Sequence, residues 1–316
     1  MTPVTWSRAW RDAARGFWAR EEPGGHFTTS ASALVADRLA AIVHEVDTRL
    51  GHPRSLAIVD IGCGDGHLLS LVRERCDGLG ARARWIGVDL RPVRIDGVES
   101  VVAESPCDLA GAPWTGVVMA HEWLDEIPCD VVERDARGVD RVVLVGCDGV
   151  EMLGPSIDDD DACRSVGVDA ARVRAWLRLW WPLREPGDRA EIGETRDRAW
   201  CWMTDLVGAG TAIATDYGHV RAERDALHHH GTLSAYHAGR LTRPIPDGSM
   251  NLTAHVAVDS CAAARRGTSI TLQRDEVPSS PFGQGDSAAD VERYFAALRL
   301  RDPARLGGVA WLRWDA

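Results

Sequence analysis

Apolar residues along this chain follow two spacings, one helical and one typical of buried strands. Helical spacing covers residues 6–20 and 33–50, where apolar side chains recur every three or four positions. Continuous apolar runs, the pattern of strands buried in a parallel sheet, lie at residues 56–61, 83–89, 99–103, 114–120 and 211–219. Because helical segments separate several of these runs, the pattern predicts a mostly parallel α/β sheet.

The segment from residue 130 to 189 has a different pattern and is predicted to be an insertion. Short strand-like runs at residues 131–132 and 142–145 alternate with turn signals. The acidic run at 158–161 predicts a solvated loop, and Asp169 is placed to cap a helix rich in tryptophan. The segment therefore has the mixed helix and strand content of a small α+β subdomain.

Three later segments complete the predicted elements. Residues 198–207 have helical spacing, residues 251–258 alternate like a strand, and residues 309–314 predict an antiparallel strand beside the sheet. The expected organisation has three parts: residues 1–53 as an N-terminal helical cap and flap, residues 54–129 and 190–316 as the ligand-binding core, and residues 130–189 as the inserted subdomain for substrate or partner.

A glycine-rich turn directly follows the first apolar run. Gly62, Gly64 and Gly66 stand at alternate positions between a predicted strand and a predicted helix. Glycine lets a ligand approach the backbone closely, and the helix N-terminus offers free N–H groups. The turn lacks the glycine spacing of dinucleotide and P-loop motifs, and acids flank it at Asp60 and Asp65. These acids favour a ligand that carries a positive centre.

Acidic side chains also end later apolar runs. Asp89 ends the second run, where an acid is placed to accept hydrogen bonds from ribose hydroxyls. Glu122 and Asp125 follow the fourth run, at the edge of a parallel sheet where substrate meets ligand. The alternative for this pair is a helix-start capping role without chemistry. Acids also follow the third run, at Glu104 and Asp108, and the sequence leaves open which of them faces the ligand.

The composition excludes several classes of partner. The 316-residue chain carries a formal net charge of −11, and all 36 of its basic residues are arginine. A nucleic-acid backbone or a membrane is therefore not the expected partner, whereas a cationic substrate is compatible. The eight cysteines are scattered without metal-ligand spacing, which favours reduced thiols in a cytoplasmic protein without a bound metal. The oligomeric state stays open, with a homodimer as one option.

Six segments, spread in order over nearly the whole chain, resemble motifs of one known family. They are Gly-His-Phe-Thr-Thr-Ser at 25–30, the glycine turn at 60–66, His-Glu-Trp-Leu-Asp-Glu-Ile-Pro at 121–128, Asp-Tyr-Gly at 216–218, Gly-Thr-Leu-Ser-Ala-Tyr at 231–236 and Asn-Leu-Thr-Ala-His-Val at 251–256. The family is the MidA-type S-adenosylmethionine (SAM)-dependent methyltransferases, which are related to the mitochondrial methyltransferase that assists assembly of respiratory complex I. Three positions depart from its pattern: His121 replaces the usual Asn, and Asn251 and Ala257 replace usual acids.

The resemblance implies a Rossmann-like class I methyltransferase sheet, mostly parallel with an antiparallel C-terminal strand, plus the inserted α+β subdomain, and it implies SAM as the cofactor. The candidate cofactor-binding residues are Gly62, Gly64, Gly66, Asp89, Thr28, Ser30 and His121, of which Thr28 and Ser30 depend on the resemblance alone. The candidate catalytic residues are Glu122 and Asp125 for orienting the acceptor, and His255 or Asp216 for assisting proton removal. For His255, a structural and partly buried role is an equal alternative.

Three functions are compatible with these residues. The leading hypothesis is methyl transfer from SAM to an arginine of a partner protein. The first alternative is an N- or O-methyltransferase acting on a small molecule or peptide, which the departures at residues 121, 251 and 257 favour. The second is a SAM-binding assembly factor with little turnover, against which the intact Glu122 and Asp125 argue.

Overall fold

The computed structural model describes residues 2–18, 31–103, 109, 111–227, 230–278, 288–303 and 305–316. The helices of these residues are α1 (Trp6–Trp18), α2 (Ala33–Arg49), α3 (His67–Arg75), α4 (Asp160–Ser165), α5 (Ala170–Trp180), α6 (Glu194–Asp205), α7 (Val258–Ala264), α8 (Gln273–Glu276) and α9 (Ala288–Arg301). The strands are β1 (Val4–Thr5), β2 (Leu56–Ile61), β3 (Ala83–Asp89), β4 (Val98–Val102), β5 (Trp114–His121), β6 (Val131–Arg134), β7 (Asp140–Val145), β8 (Glu151–Ser156), β9 (Arg189–Glu191), β10 (Val207–Asp216), β11 (Gly218–His219), β12 (Ser234–His237), β13 (Arg240–Thr242), β14 (Asn251–Thr253), β15 (Val256–Ala257), β16 (Ser269–Leu272) and β17 (Ala310–Asp315).

The chain divides into two compact units. Over the described residues, the antiparallel-sheet unit takes residues 1–28, 124–199 and 219–264. The parallel-sheet unit takes residues 29–123, 200–218 and 265–316. Each unit is assembled from three separate stretches of chain, so neither one can be read as a continuous block of sequence.

The parallel-sheet unit contains a seven-stranded sheet in the order β16-β17-β10-β5-β2-β3-β4. Adjacent strands from β10 to β4 are parallel, as the apolar runs predict. β17 runs antiparallel to β10, which confirms the predicted antiparallel C-terminal strand. The edge strand β16 was not predicted, because its side chains are mostly exposed and leave no apolar run in the sequence.

Local sequence explains why the central elements of this unit form. All six residues of β2 are buried, as expected for a strand covered on both faces. The Ser32 hydroxyl accepts from the Val35 N–H and caps α2. The apolar face of α2, including Leu39 and Val43, packs into a core with strand residues such as Ile58. Helix burial on the sheet thus fixes the strand ends that carry the glycine turn.

The antiparallel-sheet unit contains the strands β1-β7-β6-β9, with β8 paired to β7, and a second sheet in the order β13-β12-β14. The Asp169 carboxylate accepts from the Arg172 N–H and caps α5, as the sequence predicts. Trp176 and Trp181 lie in a buried cluster of this unit. These tryptophans are therefore core residues.

The compact units do not follow the predicted division of the chain. Residues 1–53 do not form one cap, because they divide between the two units. Val4 pairs with Val145, and the rings of Trp6 and Trp10 pack beside Val131 in the antiparallel-sheet unit. Helix α2 lies in the core of the other unit. Residues 219–264, expected in the ligand-binding core, also belong with the antiparallel sheet. Periodicity shows that a face is buried but not which element buries it.

The predicted strand at residues 251–258 is interrupted. β14 ends at Thr253, β15 covers Val256 and Ala257 alone, and α7 begins at Val258. Side chains from elsewhere in the unit hydrogen-bond to the backbone between the two strands, as described below, and the strand therefore does not continue through these residues.

Candidate functional site

Four strands of the parallel-sheet unit end side by side at one edge of the sheet. Ile61 of β2 pairs with Val88 of β3 on one side and with Ala120 of β5 on the other, and Thr215 of β10 pairs with His121. The strand order reverses between β2 and β5, which makes this the topological switch point of the sheet. Ligands of open α/β sheets bind outside the strand ends at such a point.

The glycine turn after β2 adopts a backbone that only glycine takes without strain. Gly62, Gly64 and Gly66 have φ of 70°, 58° and 78°. A Cβ at Gly62 would lie 2.6 Å from the ring of Trp123, and a Cβ at Gly66 would lie 2.2 Å from Ile95 Cδ1. Glycine is therefore required at both positions, because Trp123 and Ile95 pack against the turn where it leads into the N-terminus of α3.

Asp89 at the end of β3 is held by this turn. Its Oδ2 accepts from the Gly64 N–H at 2.9 Å, and its Oδ1 accepts from the Arg91 N–H at 3.2 Å. Partial burial raises the pKa of Asp89, and the backbone N–H groups oppose this shift. A carboxylate has about four acceptor positions, so Asp89 retains capacity for a ribose hydroxyl. The glycine turn and Asp89 together fit a nucleoside ligand.

The two acids that flank the glycines lie in different surroundings. Asp60 is buried, and burial together with the charge of Asp89 raises its pKa to about 8. It is therefore mostly protonated near neutral pH. Asp65 is exposed, and its Oδ1 accepts from the His67 N–H at the start of α3. The sequence interpretation that both acids offer negative charge is thus wrong for Asp60.

Glu122, the first residue after β5, has a strained backbone. Its φ is +51°, which is rare for a residue other than glycine. The Glu122 N–H donates to the Thr215 carbonyl at 2.8 Å, and only 6% of its side chain is exposed. No helix begins between His121 and Val131 in this fully described stretch. The helix-capping alternative for Glu122 and Asp125 is therefore wrong, and strain at a switch point is typical of functional residues.

His121 lies beside Glu122 and is uncharged at neutral pH. Its Nδ1 is hydrogen-bonded to Thr215 Oγ1 at 2.5 Å, and its Nε2 lies 3.6 Å from Glu122 Oε1. Burial lowers the pKa of His121 to about 4. His121 is thus a neutral neighbour of the carboxylate and not its ion-pair partner. Asp216 at the end of β10 is also buried, and its Oδ1 accepts from the Tyr217 N–H at 2.8 Å.

Asp125 and His255 belong to the antiparallel-sheet unit. The Thr253 hydroxyl donates to Asp125 Oδ2 at 2.7 Å, and the Ala254 N–H donates to the Asp125 carbonyl at 3.1 Å. His255 is exposed. The predicted catalytic residues therefore divide between the units, with Glu122 and Asp216 in one and Asp125 and His255 in the other.

Two of the departures from the family pattern have structural partners. The Asn251 amide donates to Glu126 Oε1 at 2.8 Å. Ala257 packs in the apolar cluster around Trp176, where an acid would be buried among hydrocarbon side chains. Both substitutions therefore fit their surroundings in this chain.

Sequence reasoning missed two buried charged residues of the antiparallel-sheet unit, Arg196 and Glu191. Arg196 binds main-chain carbonyls of the segments that contain Asp125 and His255. Glu191 binds the turn at Thr232. Their charges amid apolar neighbours were the available signal, because a buried charge needs partners.

Several predicted contacts fall on residues 19–30 and 104–108, outside the described part of the chain. These are Thr28, Ser30, Glu104 and Asp108. Among the described residues, no group of three or more His, Cys, Asp or Glu is arranged to hold a metal ion. Within the same residues, no helix has both the length and the apolar character needed to cross a membrane.

A family model described as "Putative S-adenosyl-L-methionine-dependent methyltransferase" matches residues 38–274, which include the glycine turn, Asp89 and Glu122. The chain belongs to this family. It is a SAM-dependent methyltransferase, and its cofactor is SAM. A comparison with curated proteins found no match.

Two solved structures have the same fold as this methyltransferase. One is a COG1565 superfamily member from Burkholderia thailandensis bound to S-adenosyl-homocysteine, with a TM-score of 0.74 and 20% identity over 99% of this chain and 88% of that chain. The other is a native crystal structure of a COG1565 superfamily protein from the same organism, with a TM-score of 0.68 and 20% identity over 99% and 87% of the two chains. The match over nearly the whole chain covers both units.

Proposed function

We propose that this methyltransferase is of the MidA type and transfers the methyl group of SAM to a guanidinium nitrogen of an arginine in a partner protein. The observation that carries the proposal is Glu122, a buried acidic side chain on a strained backbone at the switch point of the sheet. A cationic acceptor is what a carboxylate in this position would orient, and the net charge of −11 favours cationic substrates.

The proposed cofactor site consists of the glycine turn and Asp89. The positive φ of Gly62, Gly64 and Gly66 turns the backbone into the start of α3, whose N–H groups would meet the ligand. Asp89 would accept a hydrogen bond from a ribose hydroxyl, and the Gly64 N–H holds its carboxylate in place. The sulfonium of bound SAM supplies an electrophilic methyl group.

In the proposed reaction, the protein must orient the guanidinium and remove its proton. The new N–CH₃ bond forms as the S–CH₃ bond breaks, and the acceptor nitrogen loses one proton overall. A guanidinium is protonated at neutral pH, so its lone pair becomes available only as that proton leaves. Glu122 is proposed to hold the guanidinium through paired hydrogen bonds, and Asp125 is a second candidate for this role. Asp216 or His255 would take the proton.

A second acceptor class, a small molecule or peptide, is favoured by one local feature. His121 is a neutral imidazole next to Glu122, where the family pattern has Asn. A neutral ring beside the carboxylate would also suit an uncharged nitrogen or oxygen nucleophile. The substrate screen below therefore includes both acceptor classes, and an assembly factor with little turnover would give no product with either.

The experiment measures methyl transfer from radiolabelled SAM to arginine-containing peptides, to the same peptides with lysine, and to small amines and phenols. We expect label on the arginine peptides, loss of at least 95% of the rate in Glu122→Gln, and unchanged SAM affinity of that variant by calorimetry. Asp89→Asn should instead weaken SAM binding. Glu99→Gln is the matched control, because Glu99 is exposed and pairs with Arg84 on the surface.

Three results would overturn the proposal. Methylation of small acceptors alone would reassign the acceptor class. Full activity of Glu122→Gln on arginine peptides would remove Glu122 from the reaction. Binding of SAM without transfer to any acceptor would favour the assembly-factor alternative.

A further inference from the structure

Arg196 is one of the most deeply buried charged residues of the antiparallel-sheet unit, with 1% of its surface exposed. Its guanidinium donates to three main-chain carbonyls: Nη2 to Asp125 at 2.8 Å, Nη1 to His255 at 2.9 Å and Nε to Ile127 at 3.2 Å. The Trp10 ring lies 5.7 Å from its charged carbon. One side chain therefore joins two segments that are about 130 residues apart in sequence.

Glu191 fixes the same region from a second side. Its carboxylate accepts from the Thr232 N–H at 3.0 and 3.1 Å and from the Thr232 hydroxyl at 3.1 Å. The Thr232 oxygen in turn accepts from the His255 N–H at 2.9 Å. Gly231 must be glycine here, because a Cβ would lie 2.1 Å from Glu191 Oε1 at a φ of +60°.

The main chain of His255 is thus held at both of its polar groups. Its carbonyl accepts from Arg196, and its N–H donates to Thr232, which Glu191 holds. Asp125 is tied into the same cluster through its own carbonyl. Hydrogen bonds to a charged group are stronger than those between neutral groups, so this arrangement leaves little freedom to the backbone of either residue.

We propose that Arg196, together with the Glu191–Thr232 pair, is the positioning device for the acceptor side of the transfer reaction. The inference rests on the proposed function of Asp125 and His255. The guanidinium of Arg196 is occupied by main-chain carbonyls, so its role is positioning and not catalysis. It acts by fixing the backbone from which the Asp125 carboxylate and the His255 ring project, since a misplacement of about 1 Å costs about a hundredfold in rate.

The test compares Arg196→Lys with Arg224→Lys. Arg224 is the matched control, since it is also 1% exposed and donates to the Trp180 carbonyl, but it holds other residues, Asp259 and His219. Lysine retains the charge and cannot form three planar contacts. Both variants should lose stability. Only Arg196→Lys should lower kcat at saturating acceptor, by at least tenfold per folded molecule, with SAM affinity within twofold of wild type.

A second variant, at Thr232, removes the hydrogen bond to the His255 N–H and leaves every charge of the positioning device in place. Thr232→Val deletes the hydroxyl that links Glu191 to His255, and Thr204→Val is its control, because the Thr204 hydroxyl donates to Cys201 within its own helix. Thr232→Val should lower kcat severalfold, and the double variant with Arg196→Lys should lose less than the product of the two single effects. Thr204→Val should leave kcat unchanged.

Hydrogen exchange of backbone amides tests the positioning role of Arg196 independently of the proposed arginine methylation. In Arg196→Lys and Thr232→Val, the amides of Ala254 and His255 should exchange at least tenfold faster, while Arg224→Lys and Thr204→Val keep wild-type exchange rates at these two residues. Suppose that exchange is faster but that no variant, wild type included, methylates arginine. This result would overturn the proposal that arginine is the acceptor, and it would leave intact the proposal that the positioning device holds the backbone. Unchanged exchange, or equal loss of kcat in Arg196→Lys and Arg224→Lys, would refute the positioning role.

Discussion

The strained backbone at Glu122 predicts that glycine is more stable than alanine at this position, which is the reverse of the usual order. In ordinary strand or helix conformations, glycine is about 0.5–1 kcal/mol less stable than alanine. At a left-handed φ such as the +51° of Glu122, an L-residue carries about 1–2 kcal/mol of strain that glycine relieves. Glu122→Ala and Glu122→Gly both remove the carboxylate. We therefore expect the glycine variant to be the more stable of the two by about 1 kcal/mol.

The comparison is made by urea unfolding and by calorimetry. A difference of about 1 kcal/mol in the free energy of unfolding corresponds to about 2 °C in Tm for a chain of this length. Thr115 provides a reference on the same strand, because it is exposed and has no left-handed φ. There Thr115→Gly should be less stable than Thr115→Ala. Ala238 has a φ of +47° in an exposed turn, and Ala238→Gly should gain stability without altering methyl transfer.

Both Glu122 variants should lose turnover while they keep SAM affinity, so the glycine variant should be the more stable and yet inactive. Strain maintained at a residue that is needed for turnover is expected where function determines the side chain. If Glu122→Ala proves as stable as Glu122→Gly, the left-handed backbone is not strained and the reasoning fails. If Glu122→Gly retains turnover, the strain has no link to the reaction.

Three further predictions concern the glycine turn and two buried acids. Gly66→Ala should destabilise the fold by about 2–4 kcal/mol, because of the left-handed φ and the contact with Ile95, and it should weaken SAM binding. The control is Gly51→Ala, which has a similar φ and open space around it; it should cost about 1 kcal/mol and bind SAM normally. Urea unfolding measures the stabilities, and calorimetry measures SAM binding. Asp60 has its pKa raised to about 8, so its folded form holds a proton that the unfolded chain releases above about pH 4. Stability should fall by up to about 1.4 kcal/mol per pH unit between about pH 4 and 8 relative to Asp60→Asn, and parallel pH profiles of the two proteins would contradict the shift. The pH dependence of stability has the opposite sign for Asp47, because hydrogen bonds from Arg82 lower its pKa to about 2. The stability that the ionised Asp47 contributes should be lost as the pH falls from about 4 to 2, and this loss should be absent in Asp47→Asn.

Local patterns predicted the parallel strands and the ligand turn because their causes are local. Continuous burial on both faces demands an apolar run, and β2 is buried at every position. A left-handed backbone at three alternate positions demands glycine, and Gly62, Gly64 and Gly66 all have positive φ. The cap of α5 by Asp169 is local as well. These features could be read without knowing what the strands pack against.

Features that depend on distant partners were missed or misassigned. The edge strand β16 is exposed and lacks an apolar signal. The N-terminal helix α1 joined the antiparallel-sheet unit because Trp6 and Trp10 pack beside Val131, a contact that spacing does not encode. The domain bounds inferred from composition shifts therefore differ from the compact units of the fold.

The chemistry that the chain can offer is legible in its residues alone: a glycine turn, an acid at the end of β3, and a cluster of acids after β5. The protonation and backbone conformation of those groups depend on how the chain folds. The tertiary structure buried Asp60 so that it holds its proton, kept His121 neutral, and forced Glu122 into a left-handed backbone. It also brought Arg196 to the backbone of Asp125 and His255. Burial and charge proximity arise from contacts between remote segments, and for that reason they cannot be read from spacing along the chain.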